Sequence, residues 1–94
     1  MFSVNITTDG TAKLVGRLDA AQAANFESAL KAMTGAVTLD LSELEYISSV
    51  GLGAIVATHN RLAIAGGSLT LVGMNAYVRH IFALARLHNL LTIK

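Results

Sequence analysis

The hydrophobic periodicity of this chain changes within one segment, LDLSELEYISSVGLGAIV, residues 39–56. Before the two serines, Leu39 and Leu41 alternate with polar residues, as in a half-buried strand. After the serines, apolar residues recur every three or four positions, as they do on one face of a helix. The segment therefore predicts a strand, a serine-containing turn and a helix in immediate succession.

The N-terminal part predicts a hairpin, a helix and a strand. SVNITTDG and AKLVGRL alternate in hydropathy around the turn residues TDGT, which is typical of two antiparallel strands. DAAQAANFESALKAMTG predicts the first helix, with Asp19 as N-cap, Gln22 completing a capping box and Gly35 as C-cap. AVTLDLS predicts the third strand, and the apolar LEYI can extend it toward the serines.

The C-terminal part continues the alternation of helix and strand. The second helix is predicted to start near Ser49 and to end at AGG, residues 65–67. SLTLVG predicts a strand, Asn75 is the expected cap of a third helix, AYVRHIFALARL, and NLLTI predicts a short final strand. The core face of the second helix is predicted to consist of Leu52, Ile55, Val56, His59 and Leu62.

The order β-β-α-β-α-β-α-β predicts an α/β fold, with a small mixed β-sheet and helices packed on it. A chain of 94 residues suits one domain and is too short for two ordinary cores.

Composition excludes several classes of site. The absence of cysteine removes disulfides, zinc–thiolate centres and thiol nucleophiles. The formal charge is +1 and the basic residues are scattered, whereas nucleic-acid binders concentrate them in a patch. No apolar run approaches the roughly 18 residues of a membrane helix, and the first residues lack signal-peptide features. We therefore expect a soluble, cytoplasmic domain without membrane insertion and without direct nucleic-acid binding.

The serine turn has two interpretations. In the first, the hydroxyl of Ser48 or Ser49 caps the second helix, and the glycines allow close packing. In the second, one serine also carries a phosphate, which adds about −1.5 to −2 charges near neutral pH. A helix N-terminus tolerates that charge, while a partner surface fitted to a neutral hydroxyl would not.

The first turns of the second helix suit a protein contact. Val50, Gly53 or Ala54, and Ala57 are expected near one another, with Arg61 beyond them. Small residues at such a position let another backbone come close, although they can equally reflect helix propensity and internal packing. The sequence alone leaves both explanations open.

An enzyme is the less favoured alternative. His59, His80 and His88 could serve acid–base chemistry, but none pairs with a carboxylate at a metal-binding spacing. Ser49 has no base nearby in the sequence, and GLG is followed by no lysine, unlike a phosphate-binding loop. We therefore predict no catalytic residue, no metal and no cofactor.

The chain as a whole, residues 1–94, resembles a STAS domain of the anti-sigma factor antagonist family. LVGRLDAAQAANFESAL resembles the family's strand and its G-x-L-D entry to the first helix. VTLDLSELEYISSVGLGAIV resembles the characteristic strand, serine turn and helix, and AGGSLTLVGMNAYVRHIFALARLHNLLTI resembles the remaining half. The combination and order of these segments carry the resemblance.

The resemblance implies which serine is modified. The family's turn is similar to D-S-[ST]-G-L-G, with the first serine as phosphate acceptor. Aligned on GLG, the acceptor falls on Ser49, with Ser48 as the less favoured site. Ser48 then replaces the usual aspartate, and Val50 replaces the second hydroxyl residue. The partner-binding residues are expected to be Ser48, Ser49, Val50, Gly51, Gly53, Ala54, Ala57 and Arg61.

The function implied by the resemblance is partner switching in transcription regulation. The unphosphorylated protein, a monomer when free, binds an anti-sigma factor that is also a serine kinase, and so releases a sigma factor or another target. Phosphorylation of Ser49 abolishes binding, and a serine phosphatase restores it. The alternative is a STAS-like adaptor that is not phosphorylated, such as an accessory subunit of a transport complex, because fold similarity does not decide between such uses.

Overall fold

The computed structural model describes all residues, 1–94, and contains one five-stranded sheet. The first two strands are antiparallel, as the hairpin pattern predicted, and every later pair of neighbours is parallel. The mixed sheet predicted from the sequence is thus confirmed. In spatial order, which is also chain order, the strands are β1 (Phe2–Ile6), β2 (Thr11–Leu18), β3 (Ala36–Ile47), β4 (Ser68–Val72) and β5 (Thr92–Ile93).

Three α-helices connect the parallel strands. They are α1 (Ala23–Leu30), α2 (Ser49–Ile64) and α3 (Ala76–Leu84), and single 3-10 turns precede α1 and follow α3. The predicted order of strands and helices is therefore correct. No helix has the length and apolar composition needed to cross a lipid bilayer.

The two faces of the sheet differ in burial. Ala12, Leu39 and Leu71 are aligned across β2, β3 and β4 and are fully buried. The neighbouring row on the opposite face consists of threonines, which are partly or fully exposed: Thr11, Thr38, Thr70 and Thr92. Because side chains alternate between faces along a strand, the helices cover the first face and the threonine row lies on the open one.

The first helix differs from the prediction at both ends. Asp19 caps the 3-10 turn by accepting a hydrogen bond from the Gln22 backbone N–H, at 3.1 Å. The side-chain oxygen of Gln22 accepts from Asn25 instead of completing the capping box. Gly35 is not the C-cap, because α1 ends at Leu30, and the φ of +76° at Gly35 turns the chain into β3.

The third strand is longer than AVTLDLS alone. It runs for 12 residues through LEYI, with Leu44 and Ile47 buried. Irregularities in its register with β2 accommodate the extra length. This extension carries the chain to the serine turn at the carboxyl end of the strand.

Candidate functional site

The serine turn is attached to the end of β2. Ile47, the last residue of β3, pairs with Leu18, and the backbone N–H of Ser48 donates a hydrogen bond to the Leu18 carbonyl oxygen, at 3.0 Å. The start of α2 is therefore fixed on the sheet by a residue about thirty positions earlier in the chain. Loops at the carboxyl ends of parallel strands are common functional positions.

Ser48 is the helix cap. Its backbone is extended, at φ −89° and ψ 169°, and its Oγ accepts a hydrogen bond from the Gly51 backbone N–H, at 3.0 Å. The sequence left the capping role open between the two serines, and the structure assigns it to Ser48. The Ser48 hydroxyl is partly buried and engaged in this contact.

Ser49 is the first residue of α2, and its side chain is exposed. The first turn contains no acidic residue, and the cap beside it is an uncharged hydroxyl. The backbone N–H groups of Ser49 and Val50 have no acceptor within the helix, since the first turn of a helix never provides one. An anion on Ser49 would therefore meet free donors and the positive end of a 16-residue helix dipole.

The core face of α2 is rotated from the predicted one. The buried residues are Gly51, Ala54, Ile55, Thr58 and Leu62, whereas Leu52, Val56 and His59 are only partly buried. Thr58 can be buried because its hydroxyl donates to the Ala54 carbonyl one turn earlier, at 2.9 Å. The expectation that Gly51 and Ala54 lie on an accessible partner-binding face is therefore wrong.

Close packing against β2 explains the position of Gly51. A Cβ at residue 51 would lie 2.7 Å from the Leu18 carbonyl oxygen and 2.9 Å from Leu18 Cγ. At Gly53, by contrast, no atom lies within 4 Å of such a Cβ. The first glycine of GLG is thus an internal packing residue, and the second leaves open space on the outer surface.

The accessible part of the predicted contact surface consists of Ser49, Val50, Gly53 and Ala57, with Ser48 at its edge. Val50 is 52% exposed, which is high for a branched apolar side chain. These residues follow the outer side of α2 from its N-terminus. Their partner-binding role remains a prediction.

A polar groove of about 360 Å³ lies between α1 and α2 beside this surface. The α1 side of the groove was not predicted from the sequence, although the polar positions of the first helix indicate an exposed face there. Arg61 also contributes to it and donates to the carbonyl oxygens of Leu30 (2.9 Å) and Met33 (3.2 Å). The residues that line the groove are Glu27, Ser28, Lys31, Ala57, Thr58 and Arg61.

The perturbed carboxylates and amines lie away from the serine turn. A hydrogen bond from the Ser42 backbone N–H, at 2.9 Å, holds the pKa of Asp40 below its ordinary value. A salt bridge with Glu43 raises the pKa of Lys13. Both pairs lie on the open face of the sheet or its end, so neither supplies a titrating group to Ser49.

The histidines do not form a site together. His59 is partly buried on α2, with Nδ1 lacking a hydrogen-bond partner, while His80 and His88 are exposed on and after α3. No group of three or more histidine, cysteine, aspartate or glutamate side chains converges in the structure.

Several solved structures have a similar fold. An anti-sigma factor antagonist from Mycobacterium paratuberculosis has 26% identity and a TM-score of 0.79, with 99% of this chain and 83% of that chain covered. Protein TM1081 from Thermotoga maritima has 26% identity and a TM-score of 0.78, covering 98% and 84%. Phosphorylated SpoIIAA from Bacillus, at 16% identity, shares the fold with a TM-score of 0.71, covering 100% and 91%.

Sequence comparison gives the family. No curated protein matches the chain. The family described as "Mlab, STAS domain" matches residues 5–92, which is nearly the whole chain and includes the serine turn, α2 and both flanking strands. The chain therefore belongs to the STAS-domain family, and its fold is that of the anti-sigma factor antagonists.

Proposed function

We propose that this protein is an anti-sigma factor antagonist that acts by partner switching. Its unphosphorylated form binds an anti-sigma factor that is also a serine kinase, and this binding releases a sigma factor or another captive target. The kinase phosphorylates Ser49, the complex dissociates, and a serine phosphatase restores the first state. The observation that carries the proposal is the exposed hydroxyl of Ser49 at the first position of α2.

The division of roles between the two serines supports Ser49 as the acceptor. Ser48 Oγ already accepts the Gly51 N–H, and removing a cap of this kind costs about 1 kcal/mol. Modification of Ser48 would disturb that contact. Ser49 can receive a phosphate without losing the cap, and the added charge lies where the helix dipole favours an anion.

The surroundings of Ser49 explain how a phosphate would end binding. Val50 is exposed, and the open space over Gly53 lets a partner backbone approach α2. A phosphate of about −1.5 to −2 charges in that contact would have to lose its hydration, and it would meet a surface formed around a neutral hydroxyl. The phosphorylated domain therefore stays folded, while its affinity for the partner falls.

The test is a phosphorylation experiment with intact-mass measurement. The chain is incubated with ATP and the serine kinase encoded in its genomic neighbourhood, and we expect the mass of one phosphate, mapped to Ser49. Ser49→Ala should stay unmodified and keep binding the kinase. Ser48→Asp is the matched control, because it removes the other hydroxyl while aspartate still caps the helix.

Three results would argue against the proposal. A phosphate on Ser48 alone would assign the wrong serine. Equal affinity of the phosphorylated and unmodified proteins for the kinase would remove the switch. No phosphate at all, with the kinase active on another substrate, would favour an unphosphorylated adaptor or accessory subunit of a transport complex.

A further inference from the structure

The sheet ends on one side at β1, which pairs with β2 alone. At one end of this pairing the Arg17 N–H donates a hydrogen bond to the Met1 carbonyl oxygen, at 2.9 Å. At the other end the Thr7 N–H donates to the Thr11 carbonyl oxygen, also at 2.9 Å. Because hydrogen-bonded positions alternate along an antiparallel pair, the odd-numbered residues of β1 bond to β2 and the even-numbered ones face outward.

The outward-facing residues are Phe2, Val4 and Ile6, which we call the β1 edge. Their backbone N–H and C=O groups take part in no turn, loop or cap hydrogen bond. Their side chains share the helix-covered face, because Val4 pairs with the buried Leu14 and Ile6 with the buried Ala12. Ile6 is 47% exposed, and the other two are partly exposed. The β1 edge therefore offers unpaired backbone groups beside an apolar rim.

The β1 edge lacks the features that usually keep sheet edges from pairing. Natural edge strands are very short, or they carry a lysine, a proline or a bulge. β1 has five residues without a charge or a proline, and its register with β2 is unbroken. The opposite edge strand, β5, has only two residues and is followed by Lys94. Another strand can therefore pair with β1 more readily than with β5.

The sequence of β1 is complementary to a second copy of itself. With Val4 on a two-fold axis, antiparallel pairing places Val4 opposite Val4 of the second copy and Phe2 opposite its Ile6. All of these positions face outward, so each pair can exchange two hydrogen bonds. On the open face the same register places Ser3 opposite Asn5, and both are uncharged. The apolar and the polar side chains thus each meet their own kind.

Charge does not oppose this pairing. The first charged residue of the chain is Asp9, which lies in the turn after β1. A two-fold axis at Val4 puts the two copies of Asp9 at opposite ends of the paired strands. No like charges of β1 or its turn therefore meet across the contact.

We propose that two copies of this chain associate through the β1 edge and join their sheets into one continuous sheet. The strands are short and the interface is small, so the dimer forms at high protein concentration. Because α2 packs mainly against α1 and β4, the contact leaves the serine turn free and does not depend on phosphorylation of Ser49. A monomer–dimer equilibrium replaces the monomer that the family resemblance implies.

The first test is sedimentation equilibrium of the whole chain from about 10 μM to about 1 mM, a range that suits weak association. The average mass should rise from 9.8 kDa toward twice that value. Ile6→Lys should raise the dissociation constant of the dimer about tenfold, because symmetry removes two apolar cross-strand pairs at once. Thr92→Lys is the matched control: it adds the same charge at an exposed position of β5 and should leave dimerisation unchanged.

The second test locates the contact by amide hydrogen exchange in NMR spectra. In dilute protein the amides of Ser3 and Asn5 should be protected by β2, whereas those of Val4 and Ile6 should exchange rapidly. At high concentration the Val4 and Ile6 amides should become protected as well. In Ile6→Lys the Val4 amide should still exchange rapidly at that concentration, and circular dichroism checks that the variant is folded.

Several outcomes would overturn the proposal. A mass of 9.8 kDa at every concentration would reject self-association, and a strand of a different protein would then be the candidate for the β1 edge. A dimer in which the Val4 and Ile6 amides gain no protection would place the contact on another surface. Equal weakening by Ile6→Lys and Thr92→Lys would show that added charge, and not the β1 edge, controls the association.

Discussion

Gly51 and Gly53 are two residues apart on α2, but the same substitution should have opposite effects on stability. A Cβ at residue 51 would be 2.7 Å from the Leu18 carbonyl oxygen and 3.1 Å from Ile47 Cγ1. That oxygen also accepts the Ser48 N–H, so it cannot move away without loosening the serine turn. A Cβ at residue 53 would meet no atom within 4 Å.

The expected magnitudes follow from two terms. Alanine is better than glycine inside a helix by about 1 kcal/mol, and at Gly53 this gain is unopposed, so Gly53→Ala should stabilise the protein by about 0.5–1 kcal/mol. At Gly51 the same gain is opposed by overpacking, which typically costs about 1–3 kcal/mol. We therefore expect Gly51→Ala to destabilise the protein by about 1 kcal/mol.

Urea unfolding followed by circular dichroism measures both variants. With a denaturant slope of about 1 kcal/mol/M, the midpoint should fall by about 1 M in Gly51→Ala and rise by about 0.5–1 M in Gly53→Ala, with the slope unchanged. If Gly51→Ala proved as stable as Gly53→Ala, the packing explanation for the first glycine would be refuted. If the proposed kinase partner docks over Gly53, only Gly53→Ala should weaken its binding without a loss of stability.

Three further predictions concern single contacts. Arg61→Met should lower stability by about 1–3 kcal/mol in thermal unfolding, since it removes two hydrogen bonds from a charged donor to the carbonyls of Leu30 and Met33, and Arg61→Lys should recover part of the loss. Ser48→Ala should cost about 1 kcal/mol through loss of the cap, whereas Ser48→Asp should not, and equal losses in both would contradict the capping role. Because hydrogen bonds from Ser42 lower the pKa of Asp40 from 3.8, its carboxylate stabilises the fold above that value, and the contribution is lost as the pH falls through the folded-state pKa. Asp40→Asn should lack this acid-side loss in melting temperatures measured on either side of 3.8, and parallel pH curves for the two proteins would refute the linkage.

Local patterns predicted the elements well because each depends on a few neighbouring residues. The extended backbone of Asn75, whose side chain accepts the Val78 N–H at 2.8 Å, is the cap that its position before AYVRHIFALARL indicated. The extension of β3 through LEYI was also readable, since Leu44 and Ile47 continue the apolar segment. The hairpin and the start of α2 at Ser49 have the same local origin.

The orientation of α2 could not be predicted from its own sequence. Gly51, Ala54 and Thr58 are small or polar, and such residues suit either an accessible contact surface or a close internal approach. Which of these faces of α2 is buried depends on Leu18. This residue is distant in the sequence, but it contacts the start of the helix in the folded structure. Arg61 is a similar case, because only the folded structure brings the carbonyl oxygens of Leu30, at the end of α1, and of Met33, just beyond it, to its guanidinium group.

The uncharged start of α2 bears directly on the proposed switch. Ser48 occupies the position of the aspartate in the family's turn, and it caps the helix with a neutral hydroxyl. No acidic residue follows in the first turn. The positive end of the helix dipole is therefore uncompensated before modification. A phosphate on Ser49 would be the first negative charge at this helix start, so it would favour the local structure while changing the surface from neutral to strongly anionic. With serine in the place of that aspartate, the helix start has no side-chain charge in the unphosphorylated protein, and a phosphate on Ser49 would be its only negative side-chain charge.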